Sequence, residues 1–344
     1  MDFYATRISL APPLSSVISA MARAGRTQAG ERPVTLSTGA PVRASGRQGA
    51  RTAPSQLIEI RGRRLAYRRF GEGPTLVLAL RFRGVMDSWD PAFLDALAAS
   101  FTVVIFDYTG LGQSTGAPSY GRERMARDIL DLADGLGLGR FVLGGWSLGG
   151  VAAQIFAAAH PERVRQLVLI GTTPPGPQPH DAEPIFLQTA LKPVNDLEDE
   201  TILFFEPASP SSRAAAEASH ARIAAREGDV SPPVPPETFL RLLQESHDPA
   251  AVFPDPDGRH EAFFRGGGVP VLVISGDHEV VFPVQNWHAL NRVWPSLHLV
   301  TIPQAGHAPQ HQMPEFVAGL DPAGEYRSPQ VNVDVCLAAV ILQR

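Results

Sequence analysis

The chain has 344 residues, of which 44% are apolar and 19% are charged, and its formal net charge is −5. This composition is typical of a globular enzyme with a large core and excludes fibrous and coiled-coil proteins. The negative charge gives no general attraction to nucleic acids or anionic lipids, so no nucleic acid partner is expected.

Residues 1–55 differ in composition from the rest of the chain. They contain seven arginines against two acidic residues, Asp2 and Glu31, and no hydrophobic period runs through them. They are therefore predicted to be a mostly disordered extension. The expected location is the cytoplasm, although an arginine-rich leader also fits export or organelle targeting.

From residue 57 onward, predicted strands and helices alternate. The segments 57–61 and 64–69 flank a short turn and predict an antiparallel hairpin. Further strands are predicted at 76–80, 101–106, 141–145 and 166–170, and helices at 91–99, 122–136 and 148–159. This alternation predicts an α/β domain with a mostly parallel central sheet flanked by helices.

The alternation stops in segment 171–268. Clustered prolines and helix-like stretches at 212–226 and 236–245 predict an inserted helical cap. The alternating pattern then resumes, with segments at 271–275, 284–293 and 297–302. The predicted core therefore comprises residues 56–170 and 269–320.

The C-terminal tail, 321–344, contains an apolar stretch that fits a strand or a helix. Its longest apolar run, 335–342, is far shorter than the roughly 20 residues of a membrane span, so no transmembrane helix is expected. It also holds Cys336, the single cysteine of the chain, which excludes an intrachain disulfide and a thiolate metal cluster.

The most specific motif is Gly-Trp-Ser-Leu-Gly at 145–149, a G-x-S-x-G sequence between a predicted strand and a predicted helix. Such a sharp turn strains the serine backbone and leaves no room for side chains at the flanking glycines. The following helix directs free N–H groups to the place where an oxyanion forms in acyl transfer. Ser147 is therefore the candidate nucleophile.

At this motif the chain resembles the α/β-hydrolase superfamily, and the order of motifs extends the resemblance over residues 57–320. The resemblance implies a helical cap on an α/β-hydrolase core, an acid after a late strand and a histidine after the last strand. His307 takes the histidine position and is the candidate general base. His311 lies four residues further on, but Pro309 between them argues against a helical metal pair.

Two carboxylates compete for the acid position in the loop that begins with Gly276. Related sequences typically place the acid three residues after this glycine and four before a proline, here Pro283. The resemblance therefore implies Glu279, with Asp277 as the alternative. The unused carboxylate is expected to cap the backbone of the turn.

The resemblance implies an oxyanion hole made by the backbone N–H groups of Phe82 and Leu148. Most relatives carry His-Gly after the third strand, where this chain has Leu80-Arg81. This replacement leaves the path of the loop open, although a backbone donor exists whatever the side chain. Arg81 and Arg83 either contact an anionic substrate group or are solvated.

A second loop, 107–114, resembles the family loop Asp-x-Arg-Gly-x-Gly-x-Ser, with Thr109 in place of the arginine. It lacks the G-x-G-x-x-G pattern of a dinucleotide site, so it is interpreted as a structural turn. No metal ion and no organic cofactor are expected.

The motifs together imply a serine hydrolase that cleaves a carboxylester or lactone bond of a small-molecule substrate through an acyl-enzyme. Epoxide hydrolases and dehalogenases of this fold are disfavoured because they use an aspartate where this chain has Ser147. The alternatives are a C–C bond hydrolase, a cofactor-free perhydrolase, an aminopeptidase, and a nearly inactive small-molecule binder or receptor. Substrate identity and oligomeric state are left open.

Overall fold

An eight-stranded sheet forms the centre of the protein, in a computed structural model that describes residues 49–226, 228–246 and 251–320. The strands are β1 (Gln56–Ile60), β2 (Arg63–Phe70), β3 (Thr75–Ala79), β4 (Thr102–Phe106), β5 (Phe141–Trp146), β6 (Val164–Ile170), β7 (Val271–Gly276) and β8 (Leu297–Ile302). Their order across the sheet is β1-β2-β4-β3-β5-β6-β7-β8.

The direction of the strands confirms the predicted α/β fold. Strand β2 runs antiparallel to β1 and β4, and all other neighbouring strands of this sheet are parallel. Every residue of β4, β5 and β7 is buried. This burial explains their continuous apolar sequences, because strands covered on both faces have no solvent side to alternate with.

The helices in chain order are α1 (Pro91–Ala98), α2 (Arg122–Gly135), α3 (Leu148–Ala159), α4 (Pro184–Ala190), α5 (Leu197–Phe204), α6 (Pro210–Ala224), α7 (Pro236–Ser246), α8 (Arg259–Arg265), α9 (Gln285–His288), α10 (Pro309–Gln312) and α11 (Pro314–Ala318). Helix α3 is apolar on nearly all sides because it packs between α2 and strands β5 and β6. Across the described ranges, every helix is too short or too polar to cross a bilayer.

Helices α4 to α8 occupy the segment between β6 and β7, where an insertion of helices was predicted. Helix α8 differs from the others because it packs against α3. Its buried Phe264 stacks on Trp294, with ring centroids 4.9 Å apart. Helix α8 thus joins the end of the inserted segment to the core, and the boundary at residue 268 stays a prediction.

The inserted segment is tied to the rest of the protein after α6. Arg226 donates to the carbonyl oxygens of Ala50, Arg51 and Ala53 at 2.8–3.0 Å. Ala53 is completely buried, and the backbone N–H of Ala50 donates to Asp95 Oδ1 at 2.7 Å. Residues 49–55 are thus packed against the domain, and their assignment to a disordered extension was wrong because it considered only their composition.

Residues 1–48 and 321–344 lie outside the described residues. The disordered extension at 1–48, the unassigned tail and the cytoplasmic location stay predictions.

Candidate active site

Ser147 lies in the turn between β5 and α3 with φ 58° and ψ −124°, a conformation that residues with a Cβ rarely adopt. Its N–H donates to the Ile170 carbonyl at 2.9 Å, and its carbonyl accepts from Thr172 Oγ1 at 2.7 Å and from Gly150 N–H at 2.9 Å. These bonds hold the strained backbone in place. The serine side chain is therefore presented from a rigid turn.

The glycines around Ser147 allow very close backbone packing. A Cβ on Gly145 would lie 2.4 Å from the Gly149 carbonyl oxygen. A Cβ on Gly149 would lie 2.4 Å from the Ala79 oxygen and 2.5 Å from the Leu80 oxygen. The serine turn thus rests directly on the end of β3, where the chain enters the loop that carries Phe82.

His307 and Glu279 form a buried pair on the loops after β8 and β7. The imidazole Nδ1 lies 2.8 Å from Glu279 Oε1 and 2.7 Å from Oε2. The Val281 N–H also donates to Glu279 Oε1, at 2.8 Å. Because Nδ1 is occupied by the carboxylate, Nε2 is the ring nitrogen left for chemistry.

Asp277, the alternative acid, does not contact His307. Its side chain is exposed, and its Oδ1 accepts the Ala305 N–H at 3.3 Å. It therefore caps the loop that leads to His307, while Glu279 contacts the imidazole.

The loop that carries Phe82 follows a defined path despite the replacement of the usual glycine by Arg81. The Gly84 N–H donates to the Arg81 carbonyl at 3.0 Å, and Arg83 adopts a positive φ of 58°. The ring of Phe82 packs edge-on against Tyr120, with centroids 5.2 Å apart. The loop therefore forms a tight turn beside β3.

Two cavities lie near the serine turn, and Val281 lines both of them. The smaller, of about 40 Å³, is lined by Phe82, Ser147, Val281 and His307 among others. The larger, of about 340 Å³, is lined in part by Leu148 and also by Val281. Leu148 is the first residue of α3, so its N–H has no acceptor within the helix. The structure thus places Phe82, Ser147 and His307 around the small cavity, with Glu279 behind His307 and Leu148 directly after the serine.

His311 packs against Trp146 and lines neither of the two cavities. It is buried, and its Nε2 accepts the Asp90 N–H at 3.2 Å. Burial lowers the pKa of His311 to about 3, so it is neutral under ordinary conditions. Within the described ranges, no group of three or more His, Cys, Asp or Glu side chains is arranged to hold a metal ion.

Hydrogen bonds to the Asp107 carboxylate stabilise the 107–114 loop. Asp107 Oδ1 accepts the Met86 N–H at 2.7 Å, and Oδ2 accepts from Gln113 N–H at 2.9 Å and Ser231 Oγ at 2.7 Å. These bonds connect the turn to the Phe82 loop and to the inserted segment. The carboxylate is occupied by structural contacts.

The two arginines that flank Phe82 have different surroundings. Arg83 donates to the carbonyls of Ala190, Lys192 and Pro193 at 2.7–3.1 Å, so it fastens the end of α4 above the site. Arg81 lies over the rings of Trp146 and Phe204 and lines the small cavity. Sequence reasoning could not separate these roles, because Phe204 comes from the inserted helix α5, far away in the chain.

Comparison with known proteins identifies the family. A family model described as the alpha/beta hydrolase fold matches residues 74–314. The chain therefore belongs to the α/β-hydrolase fold family, as its sheet order and serine turn indicate.

Several relatives match almost over their whole length. A pimeloyl-[acyl-carrier protein] methyl ester esterase of Nitrosomonas europaea is 29% identical over 269 residues, which cover 73% of this chain and 96% of the relative. An alpha/beta hydrolase fold protein from Chitinophaga pinensis has a TM-score of 0.67 at 26% identity, covering 79% of this chain and 96% of its own. A thermophilic esterase from Thermogutta terrifontis has a TM-score of 0.58 at 26% identity, covering 77% and 96% respectively.

Proposed function

We propose that this protein is a serine hydrolase that cleaves a carboxylester or lactone bond of a small molecule through an acyl-enzyme. Ser147 Oγ is the nucleophile, His307 is the general base, and Glu279 holds the imidazole and stabilises its cation. The backbone N–H groups of Phe82 and Leu148 form the oxyanion hole.

The reaction takes place in two halves. Ser147 Oγ transfers its proton to His307 Nε2 and bonds to the substrate carbonyl carbon, and the carbonyl oxygen becomes the oxyanion. The C–O bond to the alcohol then breaks, and the alcohol leaves with the proton from His307. Water, deprotonated by the same nitrogen, attacks the acyl-enzyme and releases the acid and the free serine.

The observation that carries this proposal is the position of Ser147. It lies in a strained and buried turn and lines one cavity together with His307, whose Nδ1 is held by Glu279. Strained residues of this kind persist where function requires them. The esterase names of the Nitrosomonas and Thermogutta relatives further support ester chemistry.

The test compares the wild type with Ser147→Ala on p-nitrophenyl acetate and butyrate. Removal of the nucleophile should lower kcat by about 10⁴-fold or more. Ser100→Ala is the matched control, because Ser100 is exposed at the end of α1 and should not affect turnover. A fluorophosphonate should label the wild type and Ser100→Ala stoichiometrically, but not Ser147→Ala.

Two outcomes would contradict the proposal. An inactive wild type that does not react with the fluorophosphonate would favour the binding role. Turnover by Ser147→Ala at the wild-type rate would exclude this serine as the nucleophile.

A further inference from the structure

Arg81 is a cation in the small cavity and has no carboxylate paired with it in the described part of the chain. Arg81 directly precedes Phe82 and lines the cavity together with Ser147 and His307. Its guanidinium carbon lies 5.1 Å from the ring centroid of Trp146 and 4.8 Å from that of Phe204. The charge is therefore enclosed by aromatic side chains beside the proposed reaction centre.

The hydrogen-bond donors of Arg81 are mostly unused. Nη1 donates to the Phe82 carbonyl at 2.7 Å, whereas Nε is buried without a hydrogen-bond partner. Among the described residues, no carboxylate forms an ion pair with this guanidinium. The carboxylate of Glu200 attracts Arg81 electrostatically but is not hydrogen-bonded to it. This carboxylate lies within hydrogen-bond distance of His220 Nδ1, at 2.8 Å.

The donors of Arg83, in the same cavity, and of Arg222, on helix α6, are by contrast occupied. The donors of Arg83 are taken by three backbone carbonyls, and Arg222 forms an ion pair with Asp90 at 2.6 Å. Burial lowers the pKa of Arg81 to about 10, so the group is still protonated at neutral pH. A buried charge without a counterion is costly, so an anionic ligand that supplies the missing charge would be stabilised beside it.

We propose that Arg81 is a specificity-determining residue that binds a carboxylate of the substrate. A guanidinium fork matches a carboxylate in shape and charge, and it binds more strongly where water is excluded. The small cavity, of about 40 Å³, has room for a short acidic group beside Ser147. The cavity of about 340 Å³ shares the lining residue Val281 with it and can hold a larger part of the substrate. The substrate class is therefore an ester with a short carboxylate-bearing side and a bulkier side.

This inference rests on the proposed function and is tested with matched esters. Monobenzyl glutarate carries a free carboxylate, and benzyl 5-methylhexanoate has an uncharged branched end of similar shape. Release of benzyl alcohol gives kcat/KM for each ester, and the ratio of the two values is the readout. A change that merely displaces the Phe82 loop lowers kcat/KM for both esters alike, so its effect cancels in this ratio.

The wild type should prefer the charged ester, and Arg81→Met should reduce the ratio by about 10- to 100-fold, mainly through KM. Arg81→Lys should retain part of the preference because it keeps the charge. Arg83→Met is the control cation in the same cavity, and it should leave the ratio unchanged. Equal values for both esters in the wild type, or an equal loss for both in Arg81→Met, would overturn the assignment while esterase activity stands.

A binding measurement separates this inference from the proposed function. Calorimetric titration of Ser147→Ala with monobenzyl glutarate should show binding that is weakened about 10-fold or more by the added Arg81→Met change. If the wild type hydrolyses neither benzyl ester, this titration alone decides the role of Arg81, while the p-nitrophenyl esters and the fluorophosphonate decide the proposed function. Equal affinity with and without the arginine would refute it.

Discussion

Both carboxylate oxygens of Glu279 lie within hydrogen-bond distance of His307 Nδ1, at 2.8 and 2.7 Å, and the two side chains are almost completely buried. The glutamate side chain, one methylene longer than aspartate, is held in place because Val281 N–H donates to Oε1. A carboxylate held in this way fixes both the orientation of the imidazole and its tautomer.

Replacement of Glu279 by glutamine should therefore lower kcat by about 10²- to 10⁴-fold, because a neutral amide cannot stabilise the imidazolium. Asp277→Asn is the matched control, and its kcat should stay within about threefold of the wild type because Asp277 contacts Ala305 and not His307. Turnover of p-nitrophenyl butyrate measures both variants. A greater loss in Asp277→Asn than in Glu279→Gln would transfer the acid role to Asp277.

Gly149→Ala should destabilise the protein by about 3 kcal/mol or more and abolish turnover. The added Cβ would lie 2.4 Å from the Ala79 oxygen, and backbone at the end of β3 cannot move without shifting the Phe82 loop. Gly139→Ala is the matched control, since a Cβ there meets nothing within 4 Å. Urea unfolding of both variants tests this expectation, and similar midpoints would contradict the close packing.

His311 should make the protein less stable in mild acid. Its pKa is lowered by burial to about 3 in the folded state, whereas in the unfolded chain it is near 6.5. Between these values the unfolded state binds one more proton, so stability falls as the pH falls through this window. The loss that His311 causes should reach about 2 kcal/mol at pH 5.

The variant His311→Gln keeps an acceptor for the Asp90 N–H but cannot take up a proton. Its free energy of unfolding should therefore decline less between pH 7 and pH 5 than that of the wild type. Parallel declines in urea titrations at the two pH values would show that His311 is not the group responsible.

Arg222→Met should destabilise the attachment of the inserted segment. Asp90 is completely buried, and although burial opposes its ionisation, hydrogen bonds from Arg222 bring its pKa below the usual value. Loss of the arginine leaves the Asp90 charge unpaired, which should lower the free energy of unfolding by about 2 kcal/mol. This value is below the range for fully buried pairs because the Arg222 side chain is 34% exposed.

The control for this prediction is Arg213→Met on the same helix. Arg213 pairs with Glu198 at the surface, where both side chains are about half exposed, so its removal should have little effect. Thermal unfolding measures both variants. Equal midpoints for Arg222→Met and Arg213→Met would show that the Asp90 ion pair does not stabilise the protein.

The sequence by itself determined the α/β fold and marked Ser147 as the candidate nucleophile. Both rest on local signals: strands buried on both faces are continuously apolar, and the serine turn needs glycines at fixed spacing. The family model and the sheet order confirm the fold. The roles of Ser147, Glu279, His307, Phe82 and Leu148 stay proposals until the variants are measured.

Only the tertiary structure showed which residues from distant segments contact each other. Composition could not show that Ala53 is buried, because its contacts with Arg226 join residues 173 positions apart. Similarly, the aromatic ring of Phe204 reaches Arg81 only because the end of helix α5 packs beside Trp146 of β5. Such contacts depend on how separate segments pack, and no periodicity within one segment encodes that packing.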